Sequence, residues 1–456
     1  MTLQLSTAQQ SAYQALRAFA TGEQGAQMMT LEGYAGTGKT TLVGELVRAL
    51  APTIDIAIAA PTNKAVGVLH EKIGDVAGVE FRSIHSFLGL RMTEREDGTR
   101  ECRPDGTPSL HQYQIVIIDE CSMIGADLFR MIVMSAMSCR VLFVGDPAQL
   151  PPVERSGLQP VVSPTFERVQ HKAILTEVVR QAADNPIIGL SMRIRDAIEQ
   201  GVAMSLDTIA FAVNGAGDRT WVAPGGEAAI YNLALGAIKN GVDARIVAYR
   251  NLVVDRYNRM LHVAIHGPET PFNVGETVII NEHFDDARRL DAEWARARRV
   301  TLYTSEEATV AALVPEAHPH HPNVPAYRVT LDRDEEPSVS VYIPADMAAF
   351  NSRKDELWKA WRELKQEEEL ARMNSQPVAE LAERRKDAAR AAGMFTRAFA
   401  PLRHVYAITA HKSQGSTLDT VIVDFGDLSR MRDPFDFNRA LYVAVTRAAN
   451  NVAIIA

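Results

Sequence analysis

Residues Gly33-Tyr34-Ala35-Gly36-Thr37-Gly38-Lys39-Thr40 constrain the fold more than any other segment, because they join a short apolar run, Met28 to Glu32, to a helical pattern, Thr41 to Leu50. A glycine-rich turn in that place lets successive backbone amides face one phosphate, and the helix N-terminus adds a partial positive charge. Lys39 then reaches the outer phosphates and the Thr40 hydroxyl ligates magnesium. Leu42, Leu46 and Leu50 recur at four-residue steps, the apolar stripe of a helix packed on a sheet. The runs Ile54 to Ala60, Ile115 to Ile118 and Val141 to Val144 are apolar throughout, as strands of a parallel sheet covered on both faces are. The expected fold class is therefore α/β.

Two further strand ends carry chemistry that such a loop requires. Ile118 is followed by Asp119-Glu120, where Asp119 would hold magnesium through water and Glu120 would polarise a water for in-line attack on a γ-phosphate. An acidic pair there also serves as a simple helix cap. Val144 leads into Gly145-Asp146-Pro147-Ala148-Gln149, which puts the neutral amide of Gln149 where it would sense that phosphate. In open α/β sheets ligands sit at the carboxyl ends of strands, and all three motifs fall there.

A second set of apolar runs, Ala244 to Ala248, Val421 to Val423 and Val452 to Ile455, predicts a second α/β core. Its parts are separated by an insertion over 274–401. The first stretch alternates as exposed-face strands do and predicts a small β-barrel. The second, Ala345 to Ala392, is rich in Glu, Lys, Arg and Ala and reads as two helices broken near Pro377, with solvated faces laced by charge pairs. A shorter insertion contains Asp97-Gly98 between two strand-like runs, a hairpin signal. The chain thus divides into a first core (1–87 and 112–175), a hairpin insertion (88–111), a second core (176–273 and 402–456) and the 274–401 insertion.

With 48 basic and 56 acidic residues the net charge is −8, so any polyanion must be held locally rather than by a basic blanket. The three cysteines, Cys102, Cys121 and Cys139, form no Cys-x-x-Cys pair and read as reduced apolar fillers. No apolar run reaches the about 18 residues that span a bilayer, and the start lacks a leader pattern, so a cytoplasmic setting is expected. His318-Pro319-His320-His321 is read as a proline-flanked exposed loop, not a metal site. Asn63-Lys64 resembles guanine recognition, but Val66 stands where a carboxylate is needed.

Three motifs have no obvious part in hydrolysis: Ala60-Pro61-Thr62-Asn63-Lys64-Ala65, Ser83-Ile84-His85-Ser86-Phe87 and Thr409-Ala410-His411-Lys412-Ser413-Gln414-Gly415. Hydroxyls, an amide and imidazoles near helix starts suit a phosphodiester chain, and Phe87 or a histidine would stack on a base. Polar capping and satisfied core histidines are the plainer readings of the same residues. Arg180 in Leu175 to Gln181, and Arg447 in Tyr442 to Ala448, are candidates for stabilising phosphate charge across a cleft, or surface ion pairs.

Taken in order, Leu5-Ser6-x-x-Gln9 and the eight motifs from Gly33 to Ala448 resemble the motif series of superfamily 1 helicases, most of all the RecD and Dda branch. The resemblance implies two RecA-like cores with ATP between them, single-stranded DNA across their tops, and 5′-to-3′ movement. It implies that Gln9 reads adenine, that Gly36, Thr37, Gly38, Lys39, Thr40, Thr41, Asp119 and Gly415 bind ATP, and that Thr40 and Asp119 hold Mg2+. Lys39, Glu120, Gln149, Arg180 and Arg447 would be catalytic. Pro61, Thr62, Asn63, His85, Ser86, Phe87, Thr409, His411, Lys412 and Ser413 would meet DNA. In that branch the first insertion is a strand-separation pin and the second an SH3-like fold with an extended arm. Here the candidate pin, about Leu90 to Pro104, contains no aromatic residue. The expected partners are single-stranded and fork DNA, with single-strand-binding, replication or recombination proteins, for a chain acting as a monomer. An RNA-directed helicase of the same architecture and a non-catalytic nucleotide-binding assembly module are the alternatives.

Overall fold

The computed structural model describes residues 5–23, 25–94, 100–152, 162–177, 185–213, 219–285, 301–333 and 336–456. They group into two compact units, one of residues 1–90, 104–265 and 406–456, the other of 91–103 and 266–405.

The first unit contains two parallel sheets. Six strands lie in the order Val79–Ser83, Ile56–Ala60, Ile115–Ile118, Arg140–Gly145, Met28–Gly33, His171–Leu175, all in parallel register. Ile58, Ile117, Leu142 and Val144 pack on one face with Leu31, Leu42 and Leu46, while Ala57, Ala59, Val116, Ile118, Val141 and Phe143 pack on the other. Alternate residues of continuous apolar strands therefore fill two cores, as a sheet covered on both faces demands. Strand Ile56–Ala60 starts two residues later than the apolar run suggested. The helix Lys39–Leu50 buries Leu42, Leu46 and Leu50.

Five parallel strands form the second sheet, in the order Ala407–Thr409, Ala244–Ala248, Leu418–Asp424, Ala448–Ile455, Thr220–Ala223. Its two faces split the same way, Val247, Val421, Val423 and Ile454 against Ile246, Ala248, Ile422 and Ala453. Ala148 and Leu150, from just beyond the first sheet, belong to the second sheet's core. The two lobes thus share apolar contact at that point.

In the other unit an antiparallel sheet runs in the order Glu336–Pro344, Ala326–Arg333, Glu307–Pro315, Thr277–Ile280, Leu402–His404. The helices Met347–Met373 and Ala379–Arg397 follow the charged pattern, the second running five residues beyond the expected Ala392. Buried Glu368 ties them, accepting from Arg372 and from Arg385 at 2.7 Å each. The loop His318 to His321 corrects its exposed reading: His318 is buried, its ring set against Tyr342 and Phe399. Leu90–Glu94 and Arg100–Pro104 pair as a two-stranded sheet, and Asp97-Gly98 between them lies outside the described residues.

Candidate active site

The phosphate loop is built by its glycines. Gly36 and Gly38 stand at φ 76 and 80, in the left-handed region that favours glycine. Gly38 caps the helix Lys39–Leu50 without any side-chain hydrogen bond, so its first-turn amides have no side-chain acceptor. The Lys39 ammonium donates to the Gly33 carbonyl at 2.7 Å and the Tyr34 carbonyl at 3.0 Å, which holds a cation at the loop. Buried Thr37 closes the turn with its hydroxyl on the Tyr34 carbonyl, 2.9 Å. Thr40 is half-buried and Thr41 exposed. Gln9 donates from Nε2 to the Thr37 carbonyl at 3.0 Å and accepts from the Ser6 amide at 3.0 Å, closing a capping box. Its amide braces the loop.

Asp119 and Glu120 follow the buried strand Ile115–Ile118 as expected. Glu120 adopts φ 52, ψ 39, a left-handed conformation that costs a non-glycine residue of order 1 kcal/mol. Its amide donates to Asp119 Oδ1 at 2.8 Å. Burial, then the neighbouring Glu120 charge, push the Asp119 carboxyl up to about 6, against the opposing pull of that amide, Lys39 and Lys72. Gln149 is buried, and its Oε1 accepts from Ser122 at 3.4 Å.

The second lobe reaches this site through Arg447. Its Nη1 lies 3.6 Å from Glu120 Oε1, and its Nε is buried with no hydrogen-bond partner among the described residues. A buried unpaired donor costs about 1–3 kcal/mol, so this guanidinium has capacity for a further acceptor. Gly415, at φ 74, faces Ala65 of the first lobe, where an added Cβ would stand 3.4 Å from the Ala65 Cβ. Arg180 lies outside the described residues.

The strand-end motifs are spent on capping. Thr62 accepts from the Ala65 amide at 3.2 Å and starts the helix Asn63–Ile73. Thr409 accepts from the Lys412 amide at 3.3 Å. Pro61, Asn63, His85, His411 and Lys412 are half-buried, and Ser86 is exposed. His85 bonds to the Pro61 carbonyl, and burial holds both His85 and His411 below the usual imidazole value, so both are neutral at pH 7. Two expectations need correction. Phe87 is wholly buried and edge-on to Tyr113 at 5.6 Å, so no ring face is free for a base. Ser413 is also wholly buried, its hydroxyl donated to the Ala410 carbonyl at 2.8 Å.

A family model described as an AAA domain matches residues 4–209, and one described as a UvrD-like helicase C-terminal domain matches 404–455. The ATP-dependent DNA helicase Dda of Enterobacteria phage T4 is 28% identical over 275 residues, 58% of this chain and 58% of Dda. The ATP-dependent RecD2 DNA helicase of Deinococcus radiodurans is 35% identical over 173 residues, 36% of this chain and 21% of that protein. By these matches the chain is similar to superfamily 1 helicases of the RecD and Dda type. It spans less than two thirds of the length of either curated relative. A solved Pif1 structure from work on forked-duplex unwinding shares the fold across 99% of this chain and 92% of its own, with a TM-score of 0.53 at 17% identity. Bacteroides Pif1 bound to ADP-AlF3 and single-stranded DNA gives 0.52 at 16% identity, over the same shares.

The contacts that motif spacing does not reveal gather on Asp146. Arg195 donates to it at 2.6 Å, and Tyr442 donates to it at 2.5 Å. Arg195 sits in the amphipathic helix Pro186–Gln200 two residues after Arg193, where either arginine reads as a surface charge. Only the meeting of the lobes buries Arg195.

Proposed function

We propose that the chain is an ATP-driven motor that moves 5′-to-3′ along single-stranded DNA and unwinds duplex DNA. The observation that carries this reading is the approach of Arg447, from the second parallel-sheet lobe, to Glu120 beside the phosphate loop. ATP would lie in that seam, its phosphates against the loop amides of Gly36, Thr37 and Gly38 and the Lys39 ammonium, with Thr41 and Gly415 at its edges and Gln9 beside the base. Glu120 would take the proton of the attacking water, Gln149 would orient that water, and Arg447, with Arg180, would meet the γ-phosphate charge. Glu120 is the partner Arg447 has in the structure described here. A phosphate accepting from that guanidinium would free the carboxylate to act as base.

The donors suit Mg2+: a hydroxyl, Thr40, and a carboxylate, Asp119, whose pKa is raised by burial and by the neighbouring Glu120 charge, a setting in which a bound cation would be favoured. When bound, the ion would neutralise charge on the phosphate oxygens. The cores would be 1–87 with 112–175 and 176–273 with 402–456. The 88–111 hairpin would act as a pin and the 274–401 insertion as an SH3-like module with a helical arm. Thr62 and Thr409, Pro61, Asn63, His85, Ser86 and Lys412, with His411 as a neutral donor, would follow the DNA backbone across both lobes. The chain would work as a monomer in the cytoplasm; no helix of the described residues is long and apolar enough to cross a membrane.

Unwinding of duplexes with a 5′ or a 3′ single-stranded tail tests the reading. Strand release from the 5′-tailed substrate alone, dependent on ATP, is expected. Release from the 3′-tailed substrate alone would reverse the polarity, and stimulation by RNA but not DNA would replace the substrate.

A further inference from the structure

Asp146 belongs to the motif that supplied Gln149, yet the catalytic reading gives it no work. Its side chain is only 1% exposed. Among the described residues, its carboxylate accepts from three donors. Oδ1 accepts from the Ala148 amide at 3.0 Å and from Arg195 Nη1 at 2.6 Å, and Oδ2 accepts from the Tyr442 hydroxyl at 2.5 Å. The Tyr442 oxygen in turn accepts the Ala35 amide at 3.2 Å. The Arg195 guanidinium covers the Tyr34 ring, 3.6 Å from its centroid. Tyr34 and Ala35 lie within the phosphate loop, and Arg195 and Tyr442 lie on the second lobe's helices Pro186–Gln200 and Pro434–Thr446.

We propose that Asp146 is a positioning residue that uses Arg195 and Tyr442 to set the Tyr34–Ala35 end of the phosphate loop according to where the second lobe stands. The proposal deepens the motor reading and rests on it. Each second-lobe side chain touches the phosphate loop itself, Tyr442 at Ala35 and Arg195 at Tyr34. The chain is polarised in one direction, Ala35 N–H to Tyr442 O–H to the Asp146 carboxylate, and each bond strengthens the next. Burial and the Asp146 charge raise the Tyr442 pKa, so the hydroxyl keeps its proton and remains the donor. Burial opposes the Arg195 charge, but Asp146 outweighs it and holds the guanidinium protonated. A movement of the second lobe therefore changes the loop through two contacts at once, a hydrogen bond to Ala35 and a stacked cation on Tyr34. Because an unmade buried bond is costly, the loop follows the lobe.

Tyr442→Phe is the decisive variant, since it keeps the buried ring and deletes one hydroxyl. Asp146→Asn is the second. The readouts, on the full chain, are ATP turnover against ATP concentration with and without an oligothymidylate strand, and the thermal midpoint. In Tyr442→Phe the ratio of DNA-stimulated to unstimulated turnover falls about 2–10-fold, the loss of one buried hydrogen bond read as a rate. KM for ATP in the presence of DNA rises with it. The double variant is no worse than Asp146→Asn alone, because both act through one chain of bonds. A ratio and KM within twofold of wild type in Tyr442→Phe overturn the proposal, whatever the thermal midpoint does. Independent, multiplying effects in the double variant also overturn it. If the wild-type chain hydrolyses ATP without any DNA stimulation, the motor reading fails; the positioning claim is then decided by KM for ATP alone, which must still rise in Tyr442→Phe.

Discussion

Two helices begin at the carboxyl end of a strand in the first sheet, and they begin differently. The helix Lys39–Leu50 starts behind a left-handed glycine with no side-chain cap, whereas Asn63–Ile73 starts behind Thr62, whose hydroxyl accepts from the Ala65 amide. In the second sheet the strand Ala407–Thr409 ends like the latter, with Thr409 capping the next turn. An uncapped first turn keeps amides for a ligand, and a capped one has already used an amide internally. The two lobes share a fold but divide the work. The first holds the phosphate loop and the acidic pair, and the second answers with Arg447, Arg195 and Tyr442.

The comparison breaks first at the arginine. If the second lobe supplies charge to the reaction, Arg447→Ala lowers ATP turnover by about 10³-fold or more while nucleotide binding survives. Turnover within tenfold of wild type would leave the first lobe self-sufficient. Glu120→Gln comes next, with hydrolysis down by about 10²–10⁴-fold and ATP retained long enough to be trapped on a filter. Unchanged turnover there would remove the base. Deleting residues 95–99, between the paired strands Leu90–Glu94 and Arg100–Pro104, sharpens the division of labour, since DNA-stimulated hydrolysis should survive while strand separation falls several-fold. Equal unwinding would show that this aromatic-free hairpin is no pin.

The smallest effect is on stability. His85 and His411 are held below the usual imidazole value, first by burial. The unfolded chain thus binds protons that the native chain refuses as pH falls below about 6.5. Their contribution is complete above that value and lost on acidification toward the native pKa values. Denaturant unfolding at pH 7 and pH 5 should show this loss, with a shallower dependence in His85→Gln/His411→Gln. Parallel slopes would contradict it.

The phosphate-type loop and the strand-end acidic pair were legible because their patterns are local. Glycines at fixed spacing, a lysine and a strand-end acidic pair need no distant partner to declare themselves. Phe87 was misread because its motif mixes polar and apolar residues. In the short helix Ile84–Phe87 the i, i+3 spacing turns Ile84 and Phe87 together into the core. The loop at His318 was misread for a related reason, since its burial depends on Tyr342 and Phe399, far along the chain. Asp146 escaped because its partners at positions 195 and 442 are set by lobe packing, which periodicity does not encode.

ATP hydrolysis by the wild-type chain and by Lys39→Ala, with and without single-stranded DNA, bears most directly on a nucleotide seated between two lobes that advance along a strand. The account predicts turnover that rises severalfold with DNA in the wild type and is absent from Lys39→Ala under both conditions. Hydrolysis at the wild-type level in Lys39→Ala, or turnover indifferent to DNA, would contradict it.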